Sequence, residues 1–160
     1  YWITEDFRDK SPLLPMVSDY VHSKGYPITW IPYFQAPGYT EWREKGFDMA
    51  WHQPNYFFYN VPESQIKTAC EQAQANGMGM EMELDERASV KPLWGDKSLD
   101  YKLRAYMKTF KECGAWANCQ LAYYQDTHAV RHLKDSSDPR DVELYQDLCD
   151  FIAKRPYRSK

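Results

Sequence analysis

Apolar and polar positions alternate most regularly over Gly77-Met-Gly-Met-Glu-Met-Glu-Leu-Asp85. Successive side chains of a strand point to opposite faces. Met78, Met80, Met82 and Leu84 therefore share one face, and Glu81, Glu83 and Asp85 share the other. A carboxylate buried without a partner costs several kcal/mol. A strand that aligns three of them suits a polar ligand or proton transfer better than an ordinary core.

Elsewhere the pattern is strand then helix, repeated. Tyr1 to Glu5 reads as a short first strand. Ser11-Pro12 supplies an N-cap and a proline for the first helix, with Leu13, Val17, Tyr20 and Val21 on one face and Gly25 at its end. Ile28 to Phe34 is a second strand, followed by a short helix around Tyr39 to Lys45. Phe47 to Tyr56 is a third strand, interrupted at Pro54. A helix from Glu63 to Asn76 leads through Gly77 into the acidic strand. A further helix from Leu99 to Cys113 carries Leu103, Tyr106, Met107 and Phe110 at helical spacing, and Gly114 stops it. Gln120 to Tyr124 is a fifth strand. Asp138-Pro139 caps a last helix with Val142, Tyr145, Cys149 and Ile152 on one face. The irregular stretches are Asp85 to Ser98 and Gln125 to Ser137; both follow the carboxyl end of a strand, where α/β proteins place ligand loops.

Alternating strands and helices predict an α/β domain with a parallel sheet. Two architectures fit five such units. One is a five-stranded doubly wound open sheet, whose central strands are covered on both faces and read as continuous apolar runs. The acidic strand does not read that way. The other is a TIM-like (β/α) barrel. A whole barrel takes about 250 residues and one unit about 30. On that reading residues 1–160 form a single domain holding the C-terminal five βα units of an eight-unit barrel. The first barrel strands would come from a missing segment or a separate chain.

Composition narrows the function classes. The net charge of −3 argues against a nucleic-acid surface, and no apolar run approaches the length of a membrane span. Aromatic residues reach 16%, enough to furnish a core and a ligand-stacking rim together. Cys70, Cys113, Cys119 and Cys149 match no zinc or redox spacing. They read as buried or free thiols, with a Cys113–Cys119 bridge as the alternative. No cofactor motif is present, and no metal site is expected, since calcium on Glu81, Glu83 and Asp85 would lack a ligating loop.

In a barrel, strand ends meet at one catalytic face. Glu5 ends its strand, and Glu81, Glu83 and Asp85 approach the end of theirs. Two carboxylates across a cleft are what glycoside hydrolysis uses: one protonates the leaving oxygen, the other attacks the anomeric carbon or activates water. Gln53 and Asn55 share a face at the end of the third strand and are expected to hold sugar hydroxyls or a carboxylate. Trp30, Tyr33, Trp51, Tyr56, Tyr123 and Tyr124 are the candidate stacking rim. The competing reading is structural, with Glu81 paired to Arg8, Arg43 or Arg87 and the strand-end acids capping the next helix.

The runs Trp30-Ile-Pro-Tyr-Phe-Gln-Ala, Gly46-Phe-Asp-Met-Ala, Gln53-Pro-Asn-Tyr-Phe and Gly77 to Asp85 resemble a bacterial family known as domain of unknown function 4855. The resemblance spans Tyr1 through Tyr124. It implies a longer protein, a barrel similar in outline to glycosidases, and an extracellular or periplasmic setting. In retaining barrel glycosidases the acid/base ends strand four and the nucleophile ends strand seven. That likeness implies Glu5 as acid/base and Glu83 as nucleophile, with Glu81 as its substitute. Asp85, Gln53, Asn55 and Tyr33 would position a carbohydrate substrate. The alternative is a non-catalytic carbohydrate-binding or structural interaction domain.

Overall fold

The computed structural model describes residues 1–7 and 12–156. The expected cap Ser11, the expected ion-pair partner Arg8 and residues 157–160 lie outside the described residues. Four strands form one parallel sheet: β1 (Thr29–Trp30), β2 (Met49–His52), β3 (Gly79–Glu83) and β4 (Leu121–Tyr124). They lie in chain order β1-β2-β3-β4, as a curled half-barrel. The expected first strand is reduced to one parallel bridge, Trp2 to Trp30, with the Trp2 amide donating to Thr29 O at 2.8 Å.

The helices are α1 (Leu13–Ser23), α2 (Ser64–Ala75), α3 (Asp100–Glu112), α4 (Ala115–Asn118), α5 (Ala129–Lys134) and α6 (Pro139–Ala153). Residues Tyr39–Glu41, expected in a short helix, make only a 3-10 turn, and a second such turn covers Glu86–Ala88. α5 lies inside a stretch expected to be irregular. Asp138 caps α6 as expected, accepting from the Arg140 amide with Pro139 behind it.

Two helical faces differ from the expected ones. α1 buries Leu14 and Ser18, while Leu13 and Tyr20 are exposed. α6 buries Asp141, Leu144, Leu148 and Phe151, leaving Val142 and Ile152 exposed. Each helix carries two adjacent apolar stripes, and polar anchors select between them. Ser18 Oγ donates to Gly46 O at 3.0 Å, and Asp141 accepts from the Val90 amide at 2.7 Å and Ser136 Oγ at 2.7 Å. A buried polar group that finds its partner outweighs a few extra exposed methylenes.

The core lies between the sheet and the helices. Met80 and Met82 are fully buried with Ile66, Leu103, Tyr106 and Phe110. Cys70 of α2 and Cys113, at the end of α3, are joined in a disulfide, with Cys119 and Cys149 free. This pairing replaces the free-thiol expectation for Cys70 and Cys113 and the Cys113–Cys119 alternative, whereas Cys119 and Cys149 are free thiols as expected. α2 and α3 pack side by side, which brings residues 43 apart in sequence together. Gly79 belongs in β3 because Trp51 lies across it: a Cβ there would sit 2.4 Å from Trp51 Cδ1 and 2.6 Å from Gln120 O.

Candidate functional site

The strand ends deliver four acids to the same rim, and two helical elements sort them. Glu81 and Glu83 of β3 turn to the face opposite Met80 and Met82. They line a pocket of about 260 Å³ together with Glu5, Gln53, Asn55, Phe58, Tyr59 and Tyr124. All but Glu81, which lies in the middle of β3, stand at or beyond the carboxyl end of a strand or of the Trp2 bridge segment. Sequence spacing identified six of them: Glu5, Gln53, Asn55, Glu81, Glu83 and Tyr124. A larger cleft of about 650 Å³ opens at the amino end of the strands. The only acid among the described residues that line it, Asp48, is already held by the Ile28 amide and His22. The smaller pocket is therefore the chemically equipped one.

A chain of amides fixes its first wall. Asn55 Oδ1 accepts from the Phe34 amide at 2.7 Å, Asn55 Nδ2 donates to Gln53 Oε1 at 3.1 Å, and Gln53 Nε2 donates to Glu5 Oε1 at 3.2 Å. Asn55 has φ 56°, in the left-handed region that asparagine tolerates better than most residues. That turn ends the third strand earlier than the sequence pattern implies. It also aims the Asn55 and Tyr56 amides at Glu83. The Tyr106 hydroxyl donates to Glu83 Oε2.

Burial pushes the Glu83 carboxyl up to about 7; Tyr106 and the two amides pull it down, and the charge of Glu5 raises it. Burial also pushes Glu81 up to about 8, reinforced by Glu83 and Glu5. Folded Glu81 keeps its proton to about pH 8, whereas an unfolded glutamate loses it near 4.5. Its contribution to stability is thus full below pH 4.5 and lost as pH rises through 8. Glu81→Gln cannot ionise and escapes that loss. Its melting temperature is expected to match the parent at pH 4.5 and to exceed it by roughly 3–6 °C at pH 9. Calorimetric melts at the two pH values check this, and an equal offset at both would contradict it.

Lys102 holds the opposite wall, a role the sequence pattern did not reveal. Its Nζ donates to Tyr56 O at 2.7 Å, Phe57 O at 3.2 Å and Tyr59 O at 2.8 Å. All three ammonium protons are used on the loop that carries Phe58 and Tyr59. Lys102 and Tyr106 are one turn apart on α3, so a single helical face orders both the loop and Glu83. The available signal was a lysine on the apolar stripe of Leu103, Tyr106 and Phe110.

The family model described as Domain of unknown function (DUF4855) matches residues 1–150. The chain belongs to the DUF4855 family. No curated protein and no solved structure matches it.

The remaining candidates of this DUF4855 domain lie away from the pocket. Asp85 is bound by Arg87 through the backbone amide at 2.8 Å and the guanidinium at 2.7 Å, and it caps the 3-10 turn at Glu86. The capping alternative thus holds for Asp85. Arg43 caps α2 through Asn76 O and Gly77 O, so neither Arg43 nor Arg87 reaches Glu81. Trp30 is fully buried, stacked on Phe47 with Nε1 donating to Thr4 O; it is core, not rim. Trp51 covers Gly79, and Tyr56 packs edge-on against Tyr106. Tyr33 donates to Asp6 at 3.2 Å, and Tyr123 bonds Arg155. Glu86 shows how the loops beyond β3 and β4 are tied. Burial opposes its ionisation, yet bonds from Thr127, the His128 amide and Trp94 hold its carboxyl at about 2. Among the described residues no cluster of His, Cys, Asp and Glu could hold a metal ion.

Proposed function

We propose that this DUF4855 domain is the C-terminal part of a glycoside-hydrolase-like (β/α)8 barrel and hydrolyses carbohydrate at its carboxylate pocket. One observation carries the reading: glutamates from two separate segments, Glu5 beyond the Trp2 bridge and Glu83 at the end of β3, share a pocket with hydrogen-bonding amides and aromatic rings. The unreversed strand order supports the barrel, since a doubly wound sheet reverses order at its binding crevice.

Glu5, oriented by Gln53, gives its proton to the glycosidic oxygen as that bond breaks. Glu83, immobilised by Tyr106 and the Asn55 and Tyr56 amides, bonds to the anomeric carbon. Water then cleaves that ester, its proton passing to the Glu5 carboxylate and its oxygen to the sugar. Tyr124, Phe58 and Tyr59 stack on sugar faces.

Glu5→Gln is expected to slow hydrolysis of unactivated oligosaccharides by roughly 10²–10⁴-fold. Aryl glycosides with acidic leaving groups need less protonation and are expected to suffer much less. Reducing-sugar release and aryl-glycoside assays read the two rates. Unchanged turnover of both substrates would overturn the mechanism.

A further inference from the structure

Glu81 is surplus to the two-carboxylate chemistry, yet it lines the same pocket. Its residue is only 4% exposed, and among the described residues it has no hydrogen bond and no ion pair. Its neighbours differ. Glu83 is held by Tyr106, Glu5 by Gln53, Asp85 by Arg87 and Glu86 by Thr127 and His128. The carboxylate oxygens of Glu81 are not sealed, unlike the buried and unpartnered Trp51 Nε1 and His52 Nδ1; they open into the pocket. A carboxyl without a partner in the described chain that opens into a pocket can take its donor from a ligand.

We infer that Glu81 is the recognition group for a ligand ammonium, and that the pocket takes sugars bearing a free amino group; this rests on the carbohydrate reading above. Charge separates the alternatives. None of the described residues lining the pocket is a lysine or arginine, while Glu5, Glu81 and Glu83 all line it. A uronate or sulfated sugar would meet uncompensated repulsion. A neutral hydroxyl could bond the carboxyl but would bring no positive charge to a pocket lined by three acids. An ammonium supplies three donors and a positive charge. It also sits well against the rings of Phe58, Tyr59 and Tyr124, which attract cations through their faces. On binding, Glu81 gives its proton to solvent and pairs as a carboxylate with the ammonium.

The test is titration calorimetry of the intact protein at pH 7 with oligomers of glucosamine and galactosamine. Their N-acetylated and hydroxyl counterparts serve as comparison ligands. The amino forms are expected to bind at least about ten-fold more tightly (about 1.4 kcal/mol). Glu81→Gln should erase that preference while the affinity for the hydroxyl forms persists, and Glu81→Asp, which keeps the charge, should retain part of it. Melting curves establish that both variants are folded. Equal binding of amino and hydroxyl forms, or a preference that survives Glu81→Gln, would overturn the ammonium assignment and leave the carbohydrate reading standing. Hydrolysis and binding absent for every sugar would instead remove the carbohydrate reading and this inference with it.

Discussion

Glu83→Gln is expected to cut glycoside hydrolysis by roughly 10³–10⁴-fold while leaving the fold intact. Glutamine keeps the shape of the side chain and can still accept from Tyr106, so the local packing survives. What it loses is the carboxylate that bonds to the anomeric carbon. Unlike Glu5→Gln, this change should slow aryl glycosides and natural oligosaccharides alike, because every leaving group depends on the same nucleophile. The parent pH profile provides a second check. Glu83 must be ionised to attack, and its carboxyl sits at about 7. The limb of the profile that Glu83 sets should therefore rise with pH through about 7, against the need for a proton on Glu5. Because Glu5, Glu81 and Glu83 interact, that limb belongs to the cluster as a whole. A folded Glu83→Gln variant with parental turnover would remove Glu83 from the chemistry.

Lys102→Met is expected to destabilise the domain by about 3 kcal/mol, from the carbonyls it leaves without a donor. Tyr56 O, Phe57 O and Tyr59 O all lose their bond to Nζ. Methionine fills much of the same volume, so little of the loss comes from a cavity. Urea unfolding monitored by circular dichroism reads the change as a lower midpoint at unchanged slope. The consequence extends to the site. The released loop carries Phe58 and Tyr59 into the pocket, so ligand affinity should fall along with stability. A midpoint within about 0.5 kcal/mol of the parent would show that solvent satisfies these carbonyls without help.

The acid cluster was legible because strand alternation is strict. Once Gly77 to Asp85 is read as a strand, Glu81 and Glu83 must share a face, and that face must oppose Met80 and Met82. Gly25 and Gly77 after helices marked strand entries, whereas Gly114 leads into α4 before β4; Asp138-Pro139 marked the start of α6. Chain order then brought Glu5, Gln53 and Tyr124 to the same rim, because parallel strands expose their carboxyl ends together.

Aromatic placement was not legible. Trp30 and Tyr124 look equivalent as strand residues, yet one is sealed under Phe47 and the other is 45% exposed on the edge strand β4. Nor could periodicity choose between adjacent stripes on α1 and α6, where Ser18 and Asp141 turned the buried face toward distant partners. The fate of Asp85 followed from Arg87 two residues on, a pairing that exists only because the chain leaves the strand after Glu83.

The sequence by itself determined the α/β alternation, the greasy and acidic faces of β3, and the rim at which the acids meet. These follow from covalent geometry and from the alternation of side chains along a strand. The tertiary structure alone decided which acids are partnered. Asp85 closes on an arginine, Glu83 on a tyrosine and two amides, and Glu81 on nothing in the described chain. Partnership depends on donors arriving from other elements, and their arrival is set by packing that no local pattern encodes.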